Sequence, residues 1–264
     1  MEMTNEDILA EIKKDHIKRL LEKNERPDGR KEDEYRPITL QKNIFENAEG
    51  SALASIGKTQ VLAGIKFGIA PPFADKPNEG IFSTSAEFTP IGSFMFEPGP
   101  PSPEAIELAR VVDRGIRSSE TFDLKSFFIE EGKVLALYLD LYVLDHDGNL
   151  FDAALLAGMA ALSSTRLPKI ENGEIIVGEY SSNLEIKEKV VSCTFAKFGK
   201  HILLDPSLDE ERGMECRLTI STIPGFVCSM QKGGWGSFSK DEVLMLIDLA
   251  FKKGDELRNI LNKG

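Results

Sequence analysis

The chain has 264 residues, 41% hydrophobic and 28% charged, enough for one large domain or two closely packed smaller ones and too apolar for a disordered chain. Its 32 Lys and Arg against 43 Asp and Glu leave a net charge of −11, which repels a polyanion; any RNA or DNA contact must rest on a few localised cations or on a partner's charge. No apolar run approaches the ~20 residues of a membrane span, and the acidic start MEMTNEDILAEIKKDH does not read as a signal peptide, so a cytoplasmic protein without a membrane partner is expected.

In chain order, Thr4 or Asn5 caps a helix, NEDILAEIKKDHIKRLLEK, with Ile8, Ile12, Leu20 and Leu21 on one face. After the polar turn ERPDGRKEDEYRP, ITLQKNIF reads as a strand, and GSALASIGKTQVLAGIKFGIAPP reads as a hairpin turning at Gly57-Lys58. Val61, Ala63, Ile65, Phe67 and Ile69 alternate, which places one sheet face on a core. IFSTSAEFTP is another strand, and Pro103 opens a helix over PEAIELARVVDRGIRSSE. SFFIEEGKVLALYLDLYVLDHDG holds a strand, a Glu131-Gly132 turn and a long strand. It leads through Asp147-Gly148 into the helix-forming run that includes AALLAG. EIIVGEY, VVSCTFAKFG, HILLDP, ECRLTISTI and GFVCSMQK are short strands. The last helix, SKDEVLMLIDLAFKKGDELRNILNK, begins with Ser239 and Glu242 in capping-box spacing. Strands followed by helices, twice, predict an α+β fold with a loose internal duplication.

Three constellations are candidates for chemistry. Asp140, Asp145, Asp147 and Asp152, with His146 among them, have the composition of a divalent-metal or acid–base site, yet each carboxylate has a local reason to be there, as turn former or first-turn residue. GGWGSFSKDE, Gly233 to Glu242, is either a phosphate cradle or a capped turn. Cys193, Cys216 and Cys228 lack the spacing of a disulfide framework or zinc site, and His16 and His201 have no triad partners, so neither metal nor cofactor is expected. In RVVDRGIR, Arg110, Arg114 and Arg117 share one helix face. That face is either a clamp for phosphates or a solvated surface neutralised by Glu107, Asp113 and Glu120.

RPDGRKEDEYRPI at 26–38, PNEG at 77–80, EPGPPSPEAIELARVVDRGIR at 97–117, LDHDGN at 144–149 and LLDPSLDEE at 203–211 together resemble the RNase PH-like subunits of the archaeal exosome, in order over nearly the whole chain. The closer resemblance is to the non-catalytic ring subunit. It implies an RNase PH-like α+β fold of duplicated βαβα units, of the ribosomal protein S5 domain 2-like type. Residues 1–30 would form an N-terminal helix and arm, 31–170 a first half and 171–264 a second. It also implies a heterodimer with the catalytic RNase PH-like subunit and three heterodimers closed into a six-membered ring. That ring shortens single-stranded RNA from its 3′ end with inorganic phosphate, and cap proteins with RNA-binding domains sit on one face.

The same resemblance assigns roles residue by residue. Active members follow the Asp-x-Asp-Gly turn with a small residue, Ser or Thr, and Arg as phosphate ligands; this chain has Asn149, Leu150 and Phe151. Two aspartates that support proton transfer and metal binding align with Glu210 and Cys216. Arg110 and Arg114 match the arginines with which non-catalytic subunits hold RNA beside the catalytic partner. A non-catalytic, RNA-contacting ring subunit is therefore expected. Its rivals are a self-sufficient phosphorolytic RNase using Glu210 and the Asp145–Asp152 cluster, and a ring spacer without RNA contact.

Overall fold

The computed structural model describes residues 15–23 and 25–263. Thr4, Asn5, Ile8 and Ile12 of the expected opening helix lie outside the described residues. Within them, residues 15–21 are helical. Ile17 and Leu21, four apart, form the buried stripe against Ala196, Phe198 and Leu203, whereas Leu20, expected on that face, points partly to water.

Six strands form the first sheet: β1 (Ile38–Lys42), β2 (Gly50–Ile56), β3 (Thr59–Ala70), β4 (Ile81–Phe88), β5 (Phe128–Glu130) and β6 (Lys133–Asp145). Their order is β1-β2-β3-β6-β4, with β5 paired to β6. The Gly57-Lys58 hairpin forms in the expected register, with Ile56 opposite Thr59. β4 runs parallel to β6, so the chain crosses between them through α1 (Pro103–Ser118). Ser102 caps α1 by accepting the Ala105 N–H at 3.2 Å, with Pro103 in the first turn where no N–H is needed.

The second sheet is antiparallel, ordered β10-β9-β11-β12: β9 (Val191–Phe198), β10 (His201–Leu204), β11 (Cys216–Ile223) and β12 (Phe226–Gly234). Between the sheets runs α2 (Leu150–Ser163), which touches β2 and β3 on one side and β9 on the other. A helix covered on both sides must be apolar all round, and LFDAALLAGMAALS is buried from Leu150 to Leu162. Its small residues let the layers approach: a Cβ on Gly158 would stand 3.1 Å from Leu139. α4 (Lys240–Lys263) packs on β9 and β11, and its capping box forms, Ser239 N–H donating to Glu242 at 2.6 Å and Glu242 N–H to Ser239 Oγ at 3.2 Å.

Two elements escaped the sequence pattern. β7 (Arg166–Glu171) pairs with β8 (Glu174–Asn183) in a separate ribbon, its register broken at Pro168, the residue that argues against a strand. This ribbon spans the joint expected at residue 170. α3 (Leu208–Gly213) is one charged turn or so of helix, too short to show a period. No helix among the described residues is long and apolar enough to cross a membrane.

Candidate nucleic-acid interface

The helical period of α1 puts Val112 and Ile116 in the core and Arg110, Arg114 and Arg117 outside. With Ser83, Thr84 and Asp113 they border a groove of about 410 Å³ between α1 and β4. The three guanidinium groups are not equivalent. Arg117 is committed: its Nε donates to Asp113 at 2.6 Å, a second nitrogen reaches the Phe82 carbonyl, and its guanidinium lies over the Phe82 ring at 5.2 Å. Arg114 donates only to the neutral amide of Gln231, at 3.2 Å. Arg110 has no ion pair or hydrogen bond among the described residues. Glu107, expected as a neutraliser of this face, is bound instead to Arg217 at 2.7 Å. Two positive charges thus stand uncompensated beside the groove, four residues apart.

Ahead of α2 the chain makes a turn whose free N–H groups could cradle an anion. Gly148 takes φ +90°, and a Cβ there would meet the Ser207 carbonyl carbon at 2.4 Å, so only glycine fits. The cradle is already filled from within. Glu211, on α3, accepts the Asn149 N–H at 2.8 Å. Burial pushes the Glu211 carboxyl up to about 7, against the pull of that N–H and of Arg217 and Arg36. Leu150 and Phe151 are buried, and neither can donate a hydrogen bond. Of the guanidinium groups nearby, Arg36 is spent on the Asp147 and Gly148 carbonyls and on Asp205, and Arg217 lies 4.6 Å from the centre of the Phe151 ring and is held by Glu107.

The aspartates of the expected cluster are dispersed. Asp140, on the interior strand β6, accepts Ser85 Oγ at 2.6 Å, and Asp147 meets Arg36 at 3.5 Å. Asp152 is buried and takes donors from Tyr35, Asn149, and both the N–H and hydroxyl of Thr194, each at 2.9 Å. Burial nevertheless raises its carboxyl to about 6. No group of three or more His, Cys, Asp or Glu among the described residues is placed to hold a metal ion.

Glu210 is no freer. It is fully buried, gripped by Arg26 at 2.9 and 2.7 Å, and closes the α3 capping box with Ser207. Cys216 opens β11 without solvent contact, and burial pushes its thiol up, away from the thiolate. The glycine turn after β12 spends its N–H groups at home: Trp235 and Gly236 both donate to the Glu215 carbonyl, at 3.0 and 2.9 Å, so it is a structural turn. His201 is held by Glu32 at 2.7 Å.

The sequence reading missed the residues that organise this region. Asp205, at φ +51°, receives Arg36 through Nε at 2.9 Å and Nη2 at 2.8 Å, Arg30 at 3.0 Å and Asn149 at 2.7 Å. Its only signal was its place beside a proline in LLDP. Through it the arm of residues 26–36 is tied to the turn before α2.

Two sheets enclosing an apolar helix, with an anion-cradle turn at the helix start, define an RNase PH-like α+β protein. The 3′ exoribonuclease family model matches over residues 34–168 for domain 1 and 189–253 for domain 2; the chain belongs to this family. Exosome complex component Rrp42 of Thermococcus gammatolerans is 48% identical over 98% of this chain and 97% of its own length. The protein of that name from Methanothermobacter thermautotrophicus is 44% identical over 97% of each. Among solved structures, a chain of the Archaeoglobus fulgidus exosome with RNA bound to the active site superposes with a TM-score of 0.89 at 42% identity, covering 96% of this chain and 99% of that one. Rice Rrp46 shares the fold, with a TM-score of 0.69 at 18% identity, covering 90% of this chain and 98% of its own.

Proposed function

We propose that this chain is a ring subunit of an exosome-type, phosphorolytic 3′→5′ exoribonuclease complex, and that it performs no phosphorolysis itself. In this reading it pairs with a catalytic RNase PH-like subunit, three such pairs close a hexameric cytoplasmic ring, and cap proteins with RNA-binding domains cover one face. Its two halves, residues 31–170 and 171–264, pack as one compact unit, preceded by an N-terminal helix and arm over residues 1–30. Its own contribution is twofold: it shapes the partner's active site, and it holds single-stranded RNA on Arg110 and Arg114.

One contrast carries the reading. The position where an active member would hold phosphate is occupied by Glu211, Leu150 and Phe151, while two arginines at the far end of α1 keep their charge free. Guanidinium groups grip successive phosphates without reading bases. In the assembled ring, changing Arg110 and Arg114 to Ala is expected to weaken RNA binding by about 1–3 kcal/mol per charge-assisted contact. The loss is expected to be equal for different sequences and to come with a shallower salt dependence. A double variant that assembles, binds and degrades RNA like the wild type across a salt series would make the chain a spacer.

A further inference from the structure

The seam between β4 and α1 changes sign along its length. Opposite the arginine groove, at the N-terminal end of α1, lies a larger groove of about 1020 Å³ bordered by Glu87, Glu97, Glu104, Glu107 and Glu211. Of its cations, Arg217 is bound to Glu107 at 2.7 Å, and Arg212 on the rim donates to the neutral thioether of Met95 at 3.2 Å, which leaves carboxylates in excess. Glu87, Glu97 and Glu104 have no ion pair among the described residues, and Glu97 and Glu104 are exposed. The walls are largely apolar. Phe88 packs on Phe96 at 4.7 Å, His146 stacks on the same ring at 5.6 Å, and Phe151 lies beneath. The rim loop bears Pro98, Pro100 and Pro101, and on it Ile91 and Phe94 are 81% and 83% exposed.

Large apolar side chains left in water beside a carboxylate-lined groove mark a docking surface. We infer that this groove receives a cationic segment of a partner protein. Its Arg or Lys stems lie along the phenylalanine and proline walls, and their charged heads reach Glu87, Glu97 and Glu104. Long basic side chains combine these two demands, an apolar stem and a charged head. RNA is repelled by such a lining, and an uncharged ligand would bury the carboxylates without compensation. Among the described residues a metal ion finds no three-ligand cluster. The groove takes in Leu150, Phe151 and Glu211 of the phosphate position, so the inference rests on that part of the proposed function and not on RNA contact by Arg110 and Arg114.

The test titrates the full chain with a fluorescein-labelled peptide of repeating Arg-Leu-Pro and follows anisotropy. Saturable binding is expected, weakened at least about tenfold by Glu97→Lys with Glu104→Lys, two exposed positions whose reversal leaves the fold intact by circular dichroism. A repeating Arg-Ser-Gly peptide, equal in charge, is expected to bind at least about tenfold more weakly, because the apolar walls then contribute little. Three results would overturn the inference. One is no saturation, or binding indifferent to the charge reversal. Another is equal binding of a repeating Glu-Leu-Pro peptide. The third is sedimentation showing that the reversal abolishes self-association, which would assign the groove to a second copy of this chain.

Discussion

Arg26 donates twice into the carboxylate of Glu210, Nε at 2.9 Å and Nη2 at 2.7 Å, across 184 residues of chain, and neither side chain is more than 1% exposed. A carboxylate held this way fastens the N-terminal arm and is not available for proton transfer. Arg26→Ala would leave the buried Glu210 with only the more distant Arg30, 3.9 Å away, as an ionic partner, so a loss of about 3 kcal/mol is expected in urea unfolding. Replacing both, as Arg26→Met with Glu210→Leu, is expected to recover much of that loss, because no uncompensated charge remains.

Gly148 sets the geometry between β6 and α2. Its φ of +90° disfavours any other residue, and the space for a Cβ is taken by the Ser207–Leu208 backbone at 2.4 and 2.5 Å. Backbone atoms cannot swing away as a side chain can. Gly148→Ala is expected to cost about 2–4 kcal/mol, above the usual left-handed penalty, measured as a lower denaturant midpoint with an unchanged slope.

Restoring the missing ligands is not expected to restore chemistry. In Leu150→Thr with Phe151→Arg, the new guanidinium would face Arg217, now 4.6 Å from the Phe151 ring, while Glu211 still holds the Asn149 N–H. Like charges at that separation repel, and the phosphate position stays filled. Given RNA, phosphate and Mg²⁺, the purified variant is expected to release no nucleoside diphosphates. Turnover that persists after removal of any catalytic subunit would refute this.

Two titrating groups beside the turn oppose one another. Burial, helped by Arg212 and Arg36, lowers His146 from 6.5 to about 4. The unfolded chain therefore binds the extra proton between those values, and this contribution to stability is lost as pH falls from about 6.5 to 4. Glu211 is raised from 4.5 to about 7, so its contribution is present at low pH and lost as pH rises through about 7. Glu211→Gln keeps an acceptor for Asn149 without the charge. It is expected to gain about 1–2 kcal/mol at pH 8 relative to the wild type and nothing at pH 4, read as Tm against pH.

The three arginines of α1 are expected to separate by role. Arg117, bound to Asp113 and resting on Phe82, is structural; Arg117→Ala is expected to cost about 0.5–1 kcal/mol of stability and to leave RNA affinity within about twofold. Arg110→Ala, which breaks no hydrogen bond or ion pair among the described residues, is expected to leave stability unchanged and weaken RNA binding. Comparing unfolding midpoints with RNA titrations of the assembled ring distinguishes the two.

Local pattern was enough for the elements that carry their own period or punctuation. The alternation of Val61, Ala63 and Ile65, the Ser102-Pro103 start of α1, the Ser239–Glu242 box and the four-residue spacing of Arg110 and Arg114 all depend on neighbours within a few residues. β7 and α3 carry weaker signals, because Pro168 interrupts one and the other, the six-residue LDEERG, shows its Ser207–Glu210 cap but is too short for an apolar period. The resemblance to a known family pointed to Leu150 and Phe151 as the positions where active members hold phosphate, but composition could not say what surrounds them. That Glu211 fills the cradle, that Arg26 captures Glu210, and that Asp205 gathers Arg30, Arg36 and Asn149 were decided only by tertiary structure. So was the difference between Arg117, which is neutralised, and Arg110, which is not. The reason is physical: a charge acquires its role from burial and from the partner within hydrogen-bond reach, and here most of those partners lie more than a hundred residues away along the chain.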